Sequence, residues 1–172
     1  MCIFIKKGVI ALEIQLAKTT DAPIIHDLMM QAFMVYKNEI PPSSALEETI
    51  QSITTALEND EQALIGYMDT QPVAMVRFQV KEDCLYFYRL SVIPEKQGQG
   101  IAKDILKALE VYALEREKSL IQCKVRMAVP KNIALYQSVG YEIYDEEVVY
   151  KLNGSIVNVV AMMKRLPMLI SF

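Results

Sequence analysis

The chain has 172 residues, 52% hydrophobic and 23% charged, with a formal net charge of -3 and a pI near 5.3. At that size roughly 70% of the unfolded surface can be buried, so one globular domain spanning 1–172 is expected, and the acidic balance supplies no Lys/Arg footprint for nucleic acid. The three cysteines, Cys2, Cys84 and Cys123, form neither a CxxC pair nor a cluster with histidine, which excludes a recognisable disulfide framework or zinc site and fits a reducing, cytoplasmic location.

The opening MCIFIKKGVIALEIQL puts its lysines after the first apolar residues and soon reaches Glu13. That is the wrong order for a secretory signal, and the first ten or so residues read as a leader before a strand. Leu12, Ile14 and Leu16 alternate with polar neighbours as that strand, and Thr20 or Asp21 can cap a helix through APIIHDLMMQAFMVYK. PPSSALEETIQSITTALEN starts a second helix near Ser44. Three strand-like runs follow, QALIGYM, QPVAMVRFQV and CLYFYRLSVI, with joints short enough for hairpins. From Ile101 the period changes. Ile101, Ile105, Leu109 and Tyr112, flanked by Ala102, Leu106 and Ala113, form the apolar stripe of a helix.

LIQCKVRMAV is a further strand, Pro130 to Ser138 a short helix, and two strands close the chain around LNGS. IVNVVAMMKRLPMLISF is interrupted by Lys164, Arg165 and Pro167, short of the ~20 apolar residues that cross a bilayer. It reads as a buried strand with a tail; no membrane partner is expected, and an apolar last strand allows a homodimer. The predicted order β-α-α-β-β-β-α-β-α-β-β is α/β of the α+β kind. It implies a mixed, mostly antiparallel sheet of about seven strands with about four helices.

QGQGIAK, Gln97 to Lys103, stands where the third of those runs hands over to the helix. Unpaired backbone N–H groups at such a junction converge on one spot and bind an anion. Each N–H to a charged acceptor contributes about 1.5–3 kcal/mol, against roughly 0.3–1 kcal/mol for the helix dipole. A glycine pair alone also fits a plain tight turn. A Rossmann fingerprint is excluded because Lys103 stands in place of the third glycine and KVRMAV ends without an acid. No GxxxxGK[ST] occurs.

The segment RLSVIPEKQGQGIAKDIL resembles the central motif of the GNAT family of acyl-CoA-dependent N-acetyltransferases, with Q/R-x-x-G-x-G/A filled by Gln97 to Ala102. NIALYQSVGYE resembles the family's second motif, through Asn132, Ala134, Tyr136, Gly140 and Tyr141. The resemblance extends from about Leu12 to about Leu166. It implies acetyl-CoA as cofactor, its pyrophosphate held by the amides of Gln97, Gly98, Gln99, Gly100, Ile101, Ala102 and Lys103. Leu90, Ser91 and Val92 would pair with the pantetheine arm, in a V-shaped cleft between the central strand and the next. Asn132 either touches the cofactor or is a plain N-cap.

In the family a tyrosine at the place of Tyr136 is the general acid that protonates the leaving thiolate. A phenol, with a pKa of about 10, stays protonated beside a thiol at about 8.5. The other reading of Tyr136 is an aromatic that packs its helix on the sheet. The resemblance implies a primary amine as acceptor, of a small molecule or of a peptide or protein. At pH 7 an alkylamine needs roughly 4 kcal/mol to lose its proton, and Glu39, Glu47, Glu48 and Asp83 match no fixed motif for the base. In the family the loop joining the first two helices borders the acceptor site, so the resemblance makes Tyr36, Glu39, Ser43 and Ser44 candidate acceptor contacts. His26 has no partnering acid or serine, and Met29, Met30 and Met34 fit either core or an acceptor groove. Arg89 faces either an acid in the cleft or a cross-strand partner. Two other classes stay open: a non-catalytic acyl-CoA-binding or regulatory module, and an interaction domain that binds no acetyl-CoA.

Overall fold

The alternation of Leu12, Ile14 and Leu16 produces β2 (Ile10–Leu16) in a computed structural model whose described residues are 1–7 and 10–167. Helices α1 (Ala22–Phe33) and α2 (Ile50–Glu58) follow. Hairpins then join β3 (Glu61–Met68), β4 (Gln71–Val80) and β5 (Leu85–Val92). The chain continues through α3 (Ile101–Glu115), β6 (Leu120–Arg126), α4 (Pro130–Ser138), β7 (Glu142–Tyr150) and β8 (Ile156–Arg165). This is the mixed, mostly antiparallel α/β fold with four helices that the sequence led us to expect.

Two expectations need correction. The sheet has eight strands among the described residues, because the segment read as a leader forms β1 (Cys2–Lys7), paired antiparallel with β2 from Cys2↔Gln15 to Lys7↔Ile10. The second helix starts at Ile50, where Thr49 and Ser52 form a reciprocal capping box; Ser43 Oγ accepts from Ala45 N–H at 3.3 Å and closes only a 3-10 turn, Ser44–Glu47. The last strand is no free edge. In the order β1-β2-β3-β4-β5-β6-β8-β7, β8 pairs with β6 on one side and β7 on the other, so its apolar character serves the interior of the sheet. The tail expected beyond it lies, from residue 168, outside the described residues. No described helix is long and apolar enough to cross a membrane.

Helices cover both faces of the sheet. On one, the predicted stripe of α3 buries Ile101, Ile105, Leu106, Leu109, Tyr112 and Ala113 against Leu64, Val76, Phe78 and Phe87, and α4 adds Tyr136. On the other, α1 and α2 bury Ile25, Leu28, Met29 and Ile53 against Ala63, Ile65 and Met75. Burying such an aliphatic side chain contributes about 1.5–3 kcal/mol.

Two irregularities position a cleft. β5 and β6 are parallel but pair only at Leu85↔Ile121 and Tyr86↔Gln122, so beyond Tyr86 the strands part and the β6-facing edge of β5 is left without a strand partner. Opposite β4, the register steps from Arg77↔Tyr88 to Met75↔Ser91, which sets Arg89 and Leu90 against the single residue Val76. This is a β-bulge, with Arg89 at φ 57°. Strict alternation along β5 would put Tyr86, Tyr88, Leu90 and Val92 on one face, and the bulge breaks it. Phe87 belongs to the α3-side core and so does Val92, with Leu90 packed against it, while Tyr88 and Arg89 reach the acids on the other side. An extra residue reverses every side chain after it.

Candidate active site

The junction of β5 and α3 is built as a cradle. Gly98 at φ 78° and Gly100 at φ 80° take the left-handed conformation, which costs other L-residues roughly 1–2 kcal/mol each. A Cβ built on Gly98 would meet nothing within 4 Å, so glycine is needed there for conformation rather than for room. The Gln97 amide donates to Pro94 O and the Asp104 amide to Gly100 O. Between them the N–H groups of Gly98 to Lys103 take no partner among the described residues, as the first turn of a helix requires. The Gln97 side chain folds back to Val92 O at 3.0 Å and ties the loop to the strand.

These amides open onto a cavity of about 510 Å³ that every position expected for the cofactor lines, except Ser91 and Gln99. Ser91 is buried and donates to the Arg89 carbonyl at 2.9 Å, so only its main chain faces the parting strands. Lys96, Lys103 and Lys131 add positive charge around the same space. Lys96 and Lys131 had a sequence signal, each lying directly beside a motif, but one too common to stand out. Asn132 is not the cap of α4, since Val129 holds that place; it sits in the first turn and lines the cavity. Amides, glycine geometry and lysines together fit a diphosphate.

A second cavity, of about 250 Å³, continues from the first and shares Phe33, Tyr36, Leu90, Asn132 and Tyr136 with it. The four expected acceptor contacts, Tyr36, Glu39, Ser43 and Ser44, all line it. So do Tyr88, Arg89, Lys124, Arg126 and Lys151, and for Arg126 and Lys151 the sequence held no signal.

Tyr136 stands where the two cavities meet and, as one of its two readings has it, packs its helix on the sheet. Its ring packs edge-on to Phe87 with centroids 5.5 Å apart, and it keeps 8% exposure. Burial, with Cys123 and Tyr36 adding smaller contributions, pushes its phenol above the usual tyrosine range. It is therefore protonated at neutral pH. Cys123, also in the lining, is pushed up to about 12 by burial, so its thiol is inert.

Behind the second cavity lies a buried ion network. Arg77, 3% exposed, donates to both oxygens of Glu61 and to Glu48 at 2.5 Å. Burial alone would lower its pKa, but hydrogen bonds to Glu61 and Glu48 raise it. Tyr88 also donates to Glu61; burial and that bond hold its phenol high. Arg89 Nε donates to Glu48 at 2.8 Å and Nη2 to Ser44 at 3.2 Å. Arg89 thus meets an acid of the loop before α2, not a cross-strand partner, and these bonds offset the cost of its bulged backbone.

The other flagged residues sort plainly. Of the four carboxylates considered as base, Glu39 lines the cavity, Glu48 is committed to two arginines, and Glu47 and Asp83 are exposed outside it. His26 Nε2 donates to Glu48 O at 3.0 Å, a structural bond. Met29 is core, and neither Met30 nor Met34 lines either cavity.

A family model described as the acetyltransferase (GNAT) family matches residues 23–141. A search of curated proteins returned no match. Among solved structures, the chain is similar to the ribosomal-protein-S18-alanine N-acetyltransferase of Escherichia coli, with TM-score 0.74, 19% identity, and 94% of this chain and 99% of that one covered. It is similar to a spermidine N-acetyltransferase chimera from Vibrio cholerae and hSSAT, with TM-score 0.72, 19% identity, and 90% and 95% covered. A GNAT family acetyltransferase of Elizabethkingia anophelis with acetyl-CoA bound gives TM-score 0.67, 14% identity, and 90% and 98% covered.

Proposed function

Because the chain belongs to the GNAT acetyltransferase family, we propose that it moves an acetyl group from acetyl-CoA to a primary amine by direct attack of the amine on the thioester. The amides of Gly98 to Lys103 hold the diphosphate, with Lys96, Lys103 and Lys131 as counter-charges. The unpaired edge of β5 from Leu90 to Val92 takes the amide groups of the pantetheine arm, and Asn132 borders it. A family relative solved with acetyl-CoA bound supports the choice of cofactor.

Glu39, the carboxylate that lines the acceptor cavity, takes the proton of the ammonium and passes it to solvent, which frees the nitrogen lone pair for attack. As that nitrogen bonds to the acetyl carbon and the carbon–sulfur bond breaks, Glu39, again a carboxylate, takes the second proton from the nitrogen and Tyr136 gives its proton to the departing sulfur. The second proton returns from Glu39 through solvent to Tyr136. The products are the N-acetyl amine, the free thiol and one proton released to solvent, and nothing is oxidised or reduced. A phenol kept protonated by burial suits this role, since it cannot ionise before the thiolate forms.

The observation that carries the reading is the position of Tyr136, a side chain shared by the amide-lined cavity and the acceptor cavity. Tyr136→Phe keeps the ring against Phe87 and removes only the hydroxyl. Turnover, read as free thiol released in an amine screen, is expected to fall about 10²- to 10⁴-fold, with the Kd for acetyl-CoA within about threefold of the parent. A folded variant that keeps its turnover would remove Tyr136 from the chemistry. Acetyl-CoA binding without turnover on any amine would leave a non-catalytic binding module.

A further inference from the structure

We propose that the acceptor is a small amine that also carries an anionic group, a carboxylate or a phosphate ester, held by Arg126 and Lys151. The inference rests on the acetyltransferase reading and narrows its substrate class. Both cations line the same acceptor cavity as Tyr136. Their described hydrogen bonds go to uncharged carbonyls: Arg126 donates to Pro41 O at 2.6 Å and Pro42 O at 3.0 Å, and Lys151 to Pro42 O at 3.4 Å. Neither is in an ion pair among the described residues. The other two cations of the lining are compensated, Arg89 by Glu48 at 2.8 Å and Lys124 by Glu147 at 2.6 Å.

A guanidinium has five N–H donors and an ammonium three, so both retain donors after meeting the proline carbonyls. They are also strained as cations. Burial lowers the pKa of each, Arg126 lowers that of Lys151 further, and Arg89 presses on both; Glu39 and Glu47 only partly offset this. An anion in the cavity relieves that cost and gains charge-assisted hydrogen bonds.

The charge count agrees. With Arg89 and Lys124 neutralised, the lining leaves Arg126 and Lys151 against Glu39, an excess of one positive charge. An amino acid whose amine has been deprotonated for attack is a monoanion and balances it. A polyamine, whose remaining ammonium groups add like charge beside Arg126 and Lys151, fits poorly, although one structural relative is a spermidine N-acetyltransferase.

The test compares kcat/KM with acetyl-CoA for amines matched in shape: amino acids against their amides, O-phosphoethanolamine against ethanolamine, and spermidine alone. The anionic member of at least one pair is expected to be preferred by about tenfold or more, through KM, the two pairs separating carboxylate from phosphate. Arg126→Gln and Lys151→Gln should each bring that ratio towards one. A merely structural role in holding the 41–42 segment would lower both members of a pair alike. Equal or better use of the amides or of spermidine, or an unchanged ratio in both variants, overturns the proposal. If no amine turns over, calorimetric titration of the CoA-loaded protein decides. Binding of the anionic amine that is lost in the variants upholds the site while the transferase reading fails; no binding of either member ends the proposal.

Discussion

Glu48→Gln probes how the acceptor cavity is held in shape. The carboxylate accepts Arg77 Nη1 at 2.5 Å and Arg89 Nε at 2.8 Å, and its own side chain is 19% exposed. The amide preserves the outline but turns one oxygen into a donor facing a guanidinium. Breaking a buried pair costs about 3–5 kcal/mol. Here Arg77 keeps Glu61 and the Arg89 side chain is 23% exposed, so the expected loss is smaller, about 2–4 kcal/mol. At 2–4 °C per kcal/mol for a chain of this length, Tm should fall by about 5–15 °C. Because Arg89 sits at the bulge that turns Leu90 into the cleft, activity below Tm should fall as well. Thermal and urea denaturation with Arg89→Gln and the double variant give the coupling, expected at about 0.5–3 kcal/mol for groups in contact. A Tm within about 2 °C of the parent, or additive losses, would refute a role for this network in holding the bulge.

Gly98→Ala should weaken CoA binding about five- to thirtyfold, the equivalent of the 1–2 kcal/mol that a left-handed backbone costs alanine; calorimetry that finds an unchanged Kd would show that the conformation is not required. Stability should be lost at alkaline pH. Cys123, ordinarily near 9 and pushed up to about 12 by burial, favours the protonated fold, as do Tyr136 and Tyr141. Their contribution is complete below about pH 9 and is lost as pH rises through the folded values. Cys123 alone gives a slope of about 1.4 kcal/mol per pH unit from about 9 to 12, and Cys123→Ala should flatten it in urea titrations.

Local signals carried further in this sequence than long-range ones. The stripe Ile101, Ile105, Leu109, Tyr112 marked the buried face of α3, and QGQGIAK marked the bare amides, because helix period and glycine geometry are written in neighbouring residues. The bulge at Arg89 and Leu90 was not legible: the run LYFYRLSV alternates without a break, and the extra residue is set by pairing with β4. Arg126 and Lys151 could not be assigned to the second cavity because they meet Pro41 and Pro42 across 84 to 109 positions of chain. The interior place of β8 was hidden likewise, since a hairpin such as β7–β8 can dock on β6 by either strand. Ser43 and Ser44 looked like a helix start because a serine that closes a 3-10 turn and one that caps an α-helix share one local pattern.

The central claim, that the amides following β5 grip a diphosphate and so seat a thioester beside Tyr136, is tested most directly by calorimetric titration of the protein with CoA and with pantetheine. Pantetheine keeps the arm and the thiol and lacks the diphosphate. Loss of several charge-assisted amide bonds should weaken it by about 100-fold or more. Equal affinity for the two, or no binding of CoA, would contradict the claim.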